Sequence, residues 1–545
     1  MKYIRWIVRT VRPYSVSMAL IFLCHVLLAL CSVVYVYICK KLVDAAVAIF
    51  SGDADAGEIA VLAAVFVFMA VMRVVLNASR TYIQSKTEIR MKNDLRRRLF
   101  DILLRMQYDG SRRYHSGDII NRVQEDVRVV SSAYAVSLPN LAGTALQFMA
   151  ALAFLLYLDL NLALSVLVVL PLGILIGKYV SRRIRHLTLG IRTGDSKVHS
   201  HLQESIQHLS LLQSLEYADT SASELDELQD ELYNSEIRRS RFSLFSRLIV
   251  SLAFQSGYVI AFIWGVKGIS VGTVTYGMMT AFMQLVGQIQ RPLLEMSSQI
   301  PSIIHSLASV DRINEIESLP QERPQEPVFI QGTAGIRLSG VSFAYAADAG
   351  NVLDDFSFDF TPGSKTAIVG PTGIGKSTLI RLLLSLLKPQ RGNIVLYSDS
   401  AKDIEVSPAT RCNLVYVPQG NSLFSGTVRD NLLMGNPDAT QEQMISALHT
   451  AAADFVLELP DSLDTSCSEG GACLSEGQAQ RIAIARALLR PGSILLLDEF
   501  SSALDAETES LLMNRLTSAL PDHTMIFITH RENIIGFCDY TLRLS

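Results

Sequence analysis

The chain has 545 residues, a formal net charge of -4, 49% hydrophobic and 18% charged residues, and a mean hydropathy of +0.29. Its charged share is below the roughly 25% of ordinary soluble domains, and positive hydropathy over such a length points to a membrane. The near-neutral balance excludes a nucleic-acid binder with a basic face, and seven cysteines without CxxC or Cys/His spacing support neither a disulfide framework nor a zinc site.

Met1 to Tyr14 alternates basic and apolar residues (Lys2, Ile4, Arg5, Trp6, Ile7, Arg9), and no small-residue cleavage site follows. This reads as a retained amphipathic helix on the membrane surface rather than a signal peptide. A spanning helix needs about 20 mostly apolar residues. Runs near 18–40, 58–79, 138–158, 161–180, 247–268 and 274–294 meet that need and predict six spans. Asp159-Leu160-Asn161 is all that separates the third from the fourth, so one kinked buried helix is the alternative.

Charge placement orients these spans. Lys2, Arg5, Arg9 and Arg12, then Arg90, Lys92, Arg96, Arg97 and Arg98, then Arg182, Arg183 and Arg185 fall on one side; Asp53, Asp55, Glu58 and Asp159 fall on the other, with Lys267 the exception. The positive-inside bias puts the N-terminus and the C-terminal soluble part in the cytosol. The stretches 80–135 and 181–240 keep helical spacing but are too charged for lipid, which predicts helices extended into the cytosol and interrupted near Tyr108 and Tyr217. In the sixth span Gln284, Gln288, Arg291 and Glu295 share one helix face, suited either to substrate or to neighbouring helices. Arg73 in the second span reads as an ion-pair or cavity residue.

Leu319-Pro320-Gln321-Glu322-Arg323-Pro324-Gln325-Glu326-Pro327 cannot be helical and marks a boundary. The expected division is a transmembrane domain over 1–318, a linker over 319–329 and a nucleotide-binding domain over 330–545. The fold class is an α-helical transmembrane domain plus an α/β P-loop ATPase domain.

In the soluble part Tyr345, after Val341-Ser342-Phe343-Ala344, is a candidate to stack on adenine or a strand aromatic in a core. Gly370, Pro371, Thr372, Gly373, Ile374, Gly375, Lys376 and Ser377 fit GxxxxGK[ST] between a strand-like run and the helix opening at Thr378. Backbone N–H groups of such a loop cradle phosphates; Lys376 would reach the β- and γ-phosphates of ATP and the Ser377 hydroxyl would ligate Mg2+. Gln419, after Val415-Tyr416-Val417-Pro418, is placed to touch Mg2+ and sense the γ-phosphate. Asp498 and Glu499 end the aliphatic run Ile494 to Leu497, where Asp498 can hold Mg2+ and Glu499 polarise the attacking water. His530, after the apolar run Met525 to Thr529, could hydrogen-bond the γ-phosphate.

Between Gln419 and Asp498 stands Leu474-Ser475-Glu476-Gly477-Gln478, and Ser502-Ala503-Leu504-Asp505 follows Glu499. Together, in this order, these elements resemble the ATP-binding cassette (ABC) exporters, specifically a half-transporter with six membrane helices and one cassette. Ser116-Gly117-Asp118-Ile119-Ile120-Asn121-Arg122-Val123 is similar to a coupling segment of that family. The resemblance implies ATP and Mg2+ as cofactors and a head-to-tail dimer, homomeric or heteromeric. In it Ser475, Gly477 and Gln478 face ATP held by the other chain's P-loop, and Asp505 crosses the same interface. It further implies a multi-pass plasma (inner) membrane protein, in contact with lipid and not with nucleic acid, that exports an amphipathic or hydrophobic compound, lipid or peptide. Import by an exporter-like fold and an ATP-gated receptor or channel are the alternatives.

Two positions depart from the family pattern. Glu476 replaces a frequent glycine; a carboxylate about 8 Å from a phosphate charge costs about 2 kcal/mol at an effective dielectric of 20, so the side chain is expected to point away. Ser468 stands where glycine is usual before Glu469.

Overall fold

Long apolar runs fold into long helices in the computed structural model of the chain, which describes residues 2–50, 56–108, 116–346, 350–467 and 474–544. Two units separate, one comprising Met1–Phe100 and Gly117–Glu317, the other Asp101–Ser116 and Ser318–Ser545. Ser468 and part of the interruption after Tyr108 lie outside the described residues.

The first unit contains α1 (Lys2–Val11), α2 (Ser15–Phe50), α3 (Ala56–Leu104) up to Phe100, α4 (Gly117–Leu158), α5 (Leu160–Gln207), α6 (Leu209–Ser214), α7 (Ala218–Val271) and α8 (Tyr276–Glu317). At 1.5 Å per residue α3 is about 73 Å long, more than twice an apolar bilayer core, so its charged half extends beyond the lipid. Asp159 adopts an extended conformation (φ -157°, ψ 117°) between α4 and α5, which makes two helices rather than one kinked one. Near Tyr217 the chain breaks at His208 and again at Glu216, whose φ is 55°.

Among the described residues, α2, α3, α4 and α7 are long and apolar enough to cross a membrane. The fourth expected span lies on α5, where the side chains of 161–178 fall outside the described residues. The sixth lies on α8, whose run is diluted by Gln284, Gln288, Gln290 and Arg291. Its apolar side is nonetheless the unit's core: Phe282, Leu285 and Ile289 pack with Val36 of α2 and Ala151 and Leu155 of α4. Two of the four polar residues expected on its inner face bind α2 instead of open space. Gln284 Nε2 lies 3.1 Å from Cys39 Sγ, and Gln288 Oε1 accepts from Ser32 Oγ at 2.8 Å. Such hydrogen bonds fix helix against helix where water is scarce. Arg73 lies over the Tyr35 ring at 5.0 Å, a cation–π contact, and among the described residues it makes no ion pair.

At the polar end of this unit, Trp6 of α1 is buried and its Nε1 donates to Glu317 Oε2 at 3.2 Å. The amphipathic helix therefore spends its large aromatic on the protein. In the segment similar to coupling elements, Arg122 pairs with Asp118 at 2.9 Å and Glu315 at 2.7 Å.

The second unit is built on two larger sheets, beside a short antiparallel pairing of Gly426–Thr427 with Ser466–Cys467. One is antiparallel in the order β2 (Leu353–Phe360), β1 (Ala334–Phe343), β4 (Arg391–Ser398), β5 (Ala401–Glu405). The other has β6 (Leu414–Val417), β7 (Ile494–Asp498), β8 (Thr524–Ile528), β3 (Lys365–Val369) and β9 (Tyr540–Arg543) side by side. Its neighbouring strands all pair in parallel. A strand buried on both faces reads as an unbroken aliphatic run, and β7 and β8 are buried at every position. Register decides where the loops emerge: Ile528 stands beside both Ile368 and Asp498, and Val417 beside Leu497. Four strands thus end level, and the loops after them open on one edge, where ligands of open α/β sheets bind.

Helix α9 (Lys376–Leu383) packs Leu379, Ile380, Leu382 and Leu383 between the two sheets. On the other side α10 (Glu476–Leu488) and α11 (Ala506–Ala519) close a second apolar cluster with Ile482, Ile484, Leu512 and Leu516. Truncating one such fully buried leucine costs about 2–5 kcal/mol.

Candidate functional site

The loop between β3 and α9 has the backbone that phosphate binding requires. Gly373 and Gly375 have φ of 89° and 110°, where a side chain is strained, and a Cβ on Gly375 would lie 2.7 Å from Val352 Cγ1. Gly375 caps α9, whose first-turn N–H groups have no helical partner and so favour an anion. Lys376 is buried, its Nζ donating to Gly370 O at 2.6 Å and to His530 Nε2 at 2.6 Å. An ammonium has only donors, so the imidazole accepts here.

The neighbouring loops complete a cluster. Glu499 Oε2 accepts from Gln419 Nε2 at 2.6 Å, and Glu499 Oε1 lies 3.8 Å from His530 Nε2. Glu499 has φ 44°, an uncommon conformation for a residue with a side chain, held by its N–H bond to Ile528 O at 3.0 Å. Non-glycine residues kept in this region concentrate at functional sites. Lys376, Gln419, Glu499 and His530, from four loops, therefore meet at one edge. Asp498 is buried one residue earlier. Burial, and next the Glu499 charge, hold its carboxyl above the ordinary aspartate range, while Arg381 and Lys376 oppose that shift. Burial first, then the Asp498 charge, push the Tyr416 hydroxyl up to about 12.

Ser377 Oγ, Gln419 and Asp498 offer an all-oxygen donor set, the chemistry of Mg2+, which commonly takes one or two protein groups with the rest from phosphates and water. Ser377 lies in the first turn of α9, Gln419 two residues past β6 and Asp498 at the end of the neighbouring β7, all at the edge where the parallel strands end, so the donor set fits such an ion. Pro371, Thr372 and Ile374 complete the loop, with Ile374 N donating to Pro371 O at 3.4 Å.

Tyr345 lies two residues beyond β1. Its ring meets Phe343 edge-on at 5.1 Å, and its hydroxyl is 3.0 Å from Thr378 Oγ1 and accepts from Arg381 at 3.0 Å. It is thus placed against the P-loop helix rather than inside a strand.

The remaining expected residues form a separate group. Ser475 caps α10: its Oγ accepts from Gln478 N at 3.2 Å while Gln478 Oε1 accepts from Ser475 N at 2.9 Å. This is the reciprocal capping box that S-x-x-Q spells. Gly477 is buried, and a Cβ there would lie 2.7 Å from Ala503 O and 3.1 Å from Leu504 Cδ2. Only glycine lets α10 touch the loop ending at Asp505. Asp505 caps α11, accepting from Thr508 N and Oγ1 at 2.8 Å each, and these bonds hold its carboxyl below the ordinary range. Glu476 is exposed on the first turn. Among the described residues, no hydrogen bond joins Ser475, Gln478 or Asp505 to the P-loop.

Two connections lack a sequence signal. Gln480, fully buried on α10, reaches Glu499 O and Ser502 Oγ at 3.4 Å each. Arg531 donates to Leu504 O at 2.9 Å and Ser502 O at 3.0 Å and pairs with buried Glu509 at 3.2 Å, tying the residue after His530 to the loop of Asp505.

Fold and site define a P-loop nucleotide-binding domain fused to a helical membrane domain. A family model described as "ABC transporter transmembrane region" matches residues 18–293, and one described as "ABC transporter" matches residues 353–502. The chain belongs to the ABC transporters, with membrane and ATP-binding parts in one polypeptide. It is 29% identical over 460 residues to the fatty acid ABC transporter ATP-binding/permease protein of Mycobacterium tuberculosis, covering 84% of this chain and 72% of that one. It is 28% identical over 493 residues to the putative multidrug export ATP-binding/permease protein YgaD of Bacillus subtilis, covering 90% and 85%. A solved bacterial Atm1-family ABC exporter with ATP bound shares the fold, with a TM-score of 0.78 at 23% identity over 98% of this chain and 94% of that one.

Proposed function

We propose that this chain is one half of an ATP-hydrolysing exporter of amphipathic or hydrophobic compounds, acting as a dimer in a bacterial inner membrane with its cassette in the cytosol. The observation that carries the reading is the meeting of Lys376, Gln419, Glu499 and His530 at the P-loop edge. The basic residues flanking the spans support the orientation. The names of the relatives, one a fatty acid transporter and one a putative multidrug exporter, support the substrate class.

Each residue has a derivable task. The Gly370–Thr378 loop presents its N–H groups and Lys376 to the phosphates, and Tyr345 offers a ring to adenine. Lys376 then exchanges Gly370 O and His530 for phosphate oxygens, freeing His530 to hydrogen-bond the γ-phosphate. Glu499 takes the proton of the water that attacks the γ-phosphorus, as the bond to the ADP oxygen breaks and phosphate leaves. Gln419 holds the Glu499 carboxylate in position until the nucleotide arrives. A bound Mg2+ on Ser377, Gln419 and Asp498 would supply positive charge to the β- and γ-oxygens.

Ser475 and Gln478 are held by their reciprocal cap, Gly477 lies against Ala503, and among the described residues none of them hydrogen-bonds this chain's P-loop. That arrangement suits them to nucleotide held by a second cassette. ATP bound between two cassettes shifts the membrane helices by its higher affinity for the closed state, which is the only way a ligand moves such an equilibrium.

The test is transport itself. In sealed liposomes with cassettes outermost, external ATP is expected to drive a fluorescent fatty acid or a lipophilic dye into the lumen. ATP hydrolysis without any movement, or movement out of the lumen, would contradict export.

A further inference from the structure

Tyr108 stands four residues beyond Leu104, where α3 ends, and packs on the apolar cluster beneath the antiparallel sheet. Its ring lies 5.2 Å from the guanidinium carbon of Arg381, on α9. Arg381 in turn donates to the Tyr345 hydroxyl at 3.0 Å, and that hydroxyl is 3.0 Å from Thr378 Oγ1. An unbroken chain of contacts therefore runs from the segment after α3 to the P-loop helix. The segment is also fixed to the linker, with Gln107 N donating to Pro320 O at 3.0 Å and Glu322 N to Arg105 O at 2.7 Å. Arg411 grips Glu322 with two bonds of 2.8 and 2.6 Å and donates to Leu384 O and Ser385 O at 2.7 Å each, just past the end of α9.

We propose that Arg381 is a positioning residue that reports nucleotide occupancy at Tyr345 and Thr378 to Tyr108, and through it to the paired segments 105–108 and 320–322. Phosphate engaging the P-loop helix competes for Thr378 Oγ1, and adenine stacked on the Tyr345 ring fixes the ring whose hydroxyl Arg381 holds. A guanidinium that loses this acceptor redistributes its fixed fork of donors. The Tyr108 face at 5.2 Å is among its remaining neighbours, so its hold on Tyr108 changes when nucleotide binds. The inference rests on the nucleotide-site reading above.

Amide hydrogen exchange of the full chain in nanodiscs, with and without saturating Mg2+ and a non-hydrolysable ATP analogue, tests it. Binding of the analogue is measured separately by equilibrium dialysis. Exchange at the Gln107 and Glu322 amides is expected to change at least about threefold on binding in the wild type and in Tyr108→Phe, which keeps the ring. In Tyr108→Leu, which binds the analogue but lacks the π face, the change is expected to vanish; Arg381→Gln is expected to match it. A full response in Tyr108→Leu, or no response in the wild type at saturation, overturns the relay. Failure of the wild type to bind the analogue overturns the nucleotide site itself.

Discussion

Replacing Glu499 with Gln is expected to lower steady-state ATP hydrolysis by about 100-fold or more while leaving ATP binding intact. The magnitude is that of removing a positioned general base. Gln keeps the shape and can still meet Gln419 across the loop, so the φ of 44° and the bond to Ile528 O have no reason to change. The variant should hold ATP and accumulate the closed state, seen as nucleotide that co-purifies through size exclusion. Steady turnover near the wild-type rate would remove Glu499 from the chemistry.

Gly477→Ala has the second large effect, and the reason is steric. The added Cβ would fall 2.7 Å from Ala503 O, a backbone atom, and 3.1 Å from Leu504 Cδ2. Overpacking of this kind costs about 1–3 kcal/mol. Because the strain lands on the loop between Glu499 and Asp505, turnover is expected to fall about tenfold or more, one decade per 1.4 kcal/mol. ATP binding to the P-loop of the undimerised cassette should change little, since the P-loop is untouched. An assay of hydrolysis alongside nucleotide binding separates the two, and wild-type turnover in this variant would show that the contact can relax.

The parts of this site that are legible in the sequence are those whose chemistry needs consecutive residues. A phosphate cradle must alternate glycines with a lysine and a hydroxyl, and an acid delivered by a buried strand must end an aliphatic run, so Gly370–Ser377 and Asp498–Glu499 announce themselves. Ser475 and Gln478 are legible as a motif but not as a cap, because the same S-x-x-Q spacing serves both. Arg381, Gln480 and Arg531 carry no such pattern. Each is a single polar residue in an otherwise unremarked stretch, and its partners arrive from distant strands only when the parallel sheet assembles. The membrane part shows the opposite failure. Length alone marks its sixth span, yet Gln284 and Gln288 are as consistent with substrate as with α2, and only the packed helices decide that they bind Cys39 and Ser32. The inclusion of Asp101–Ser116 in the cassette unit has no compositional mark at all.

The claim on which the proposed mechanism turns is that the Leu474–Gln478 segment of one chain completes the ATP site of another. It is tested most directly by disulfide trapping between two differently marked chains, one carrying Thr372→Cys and the other Ser475→Cys, in a background lacking the seven native cysteines. The account predicts a cross-linked pair containing one of each chain, formed when ATP and Mg2+ are present and hydrolysis is blocked by Glu499→Gln. Absence of that pair, while a single chain carrying both cysteines closes the bond internally, would contradict it.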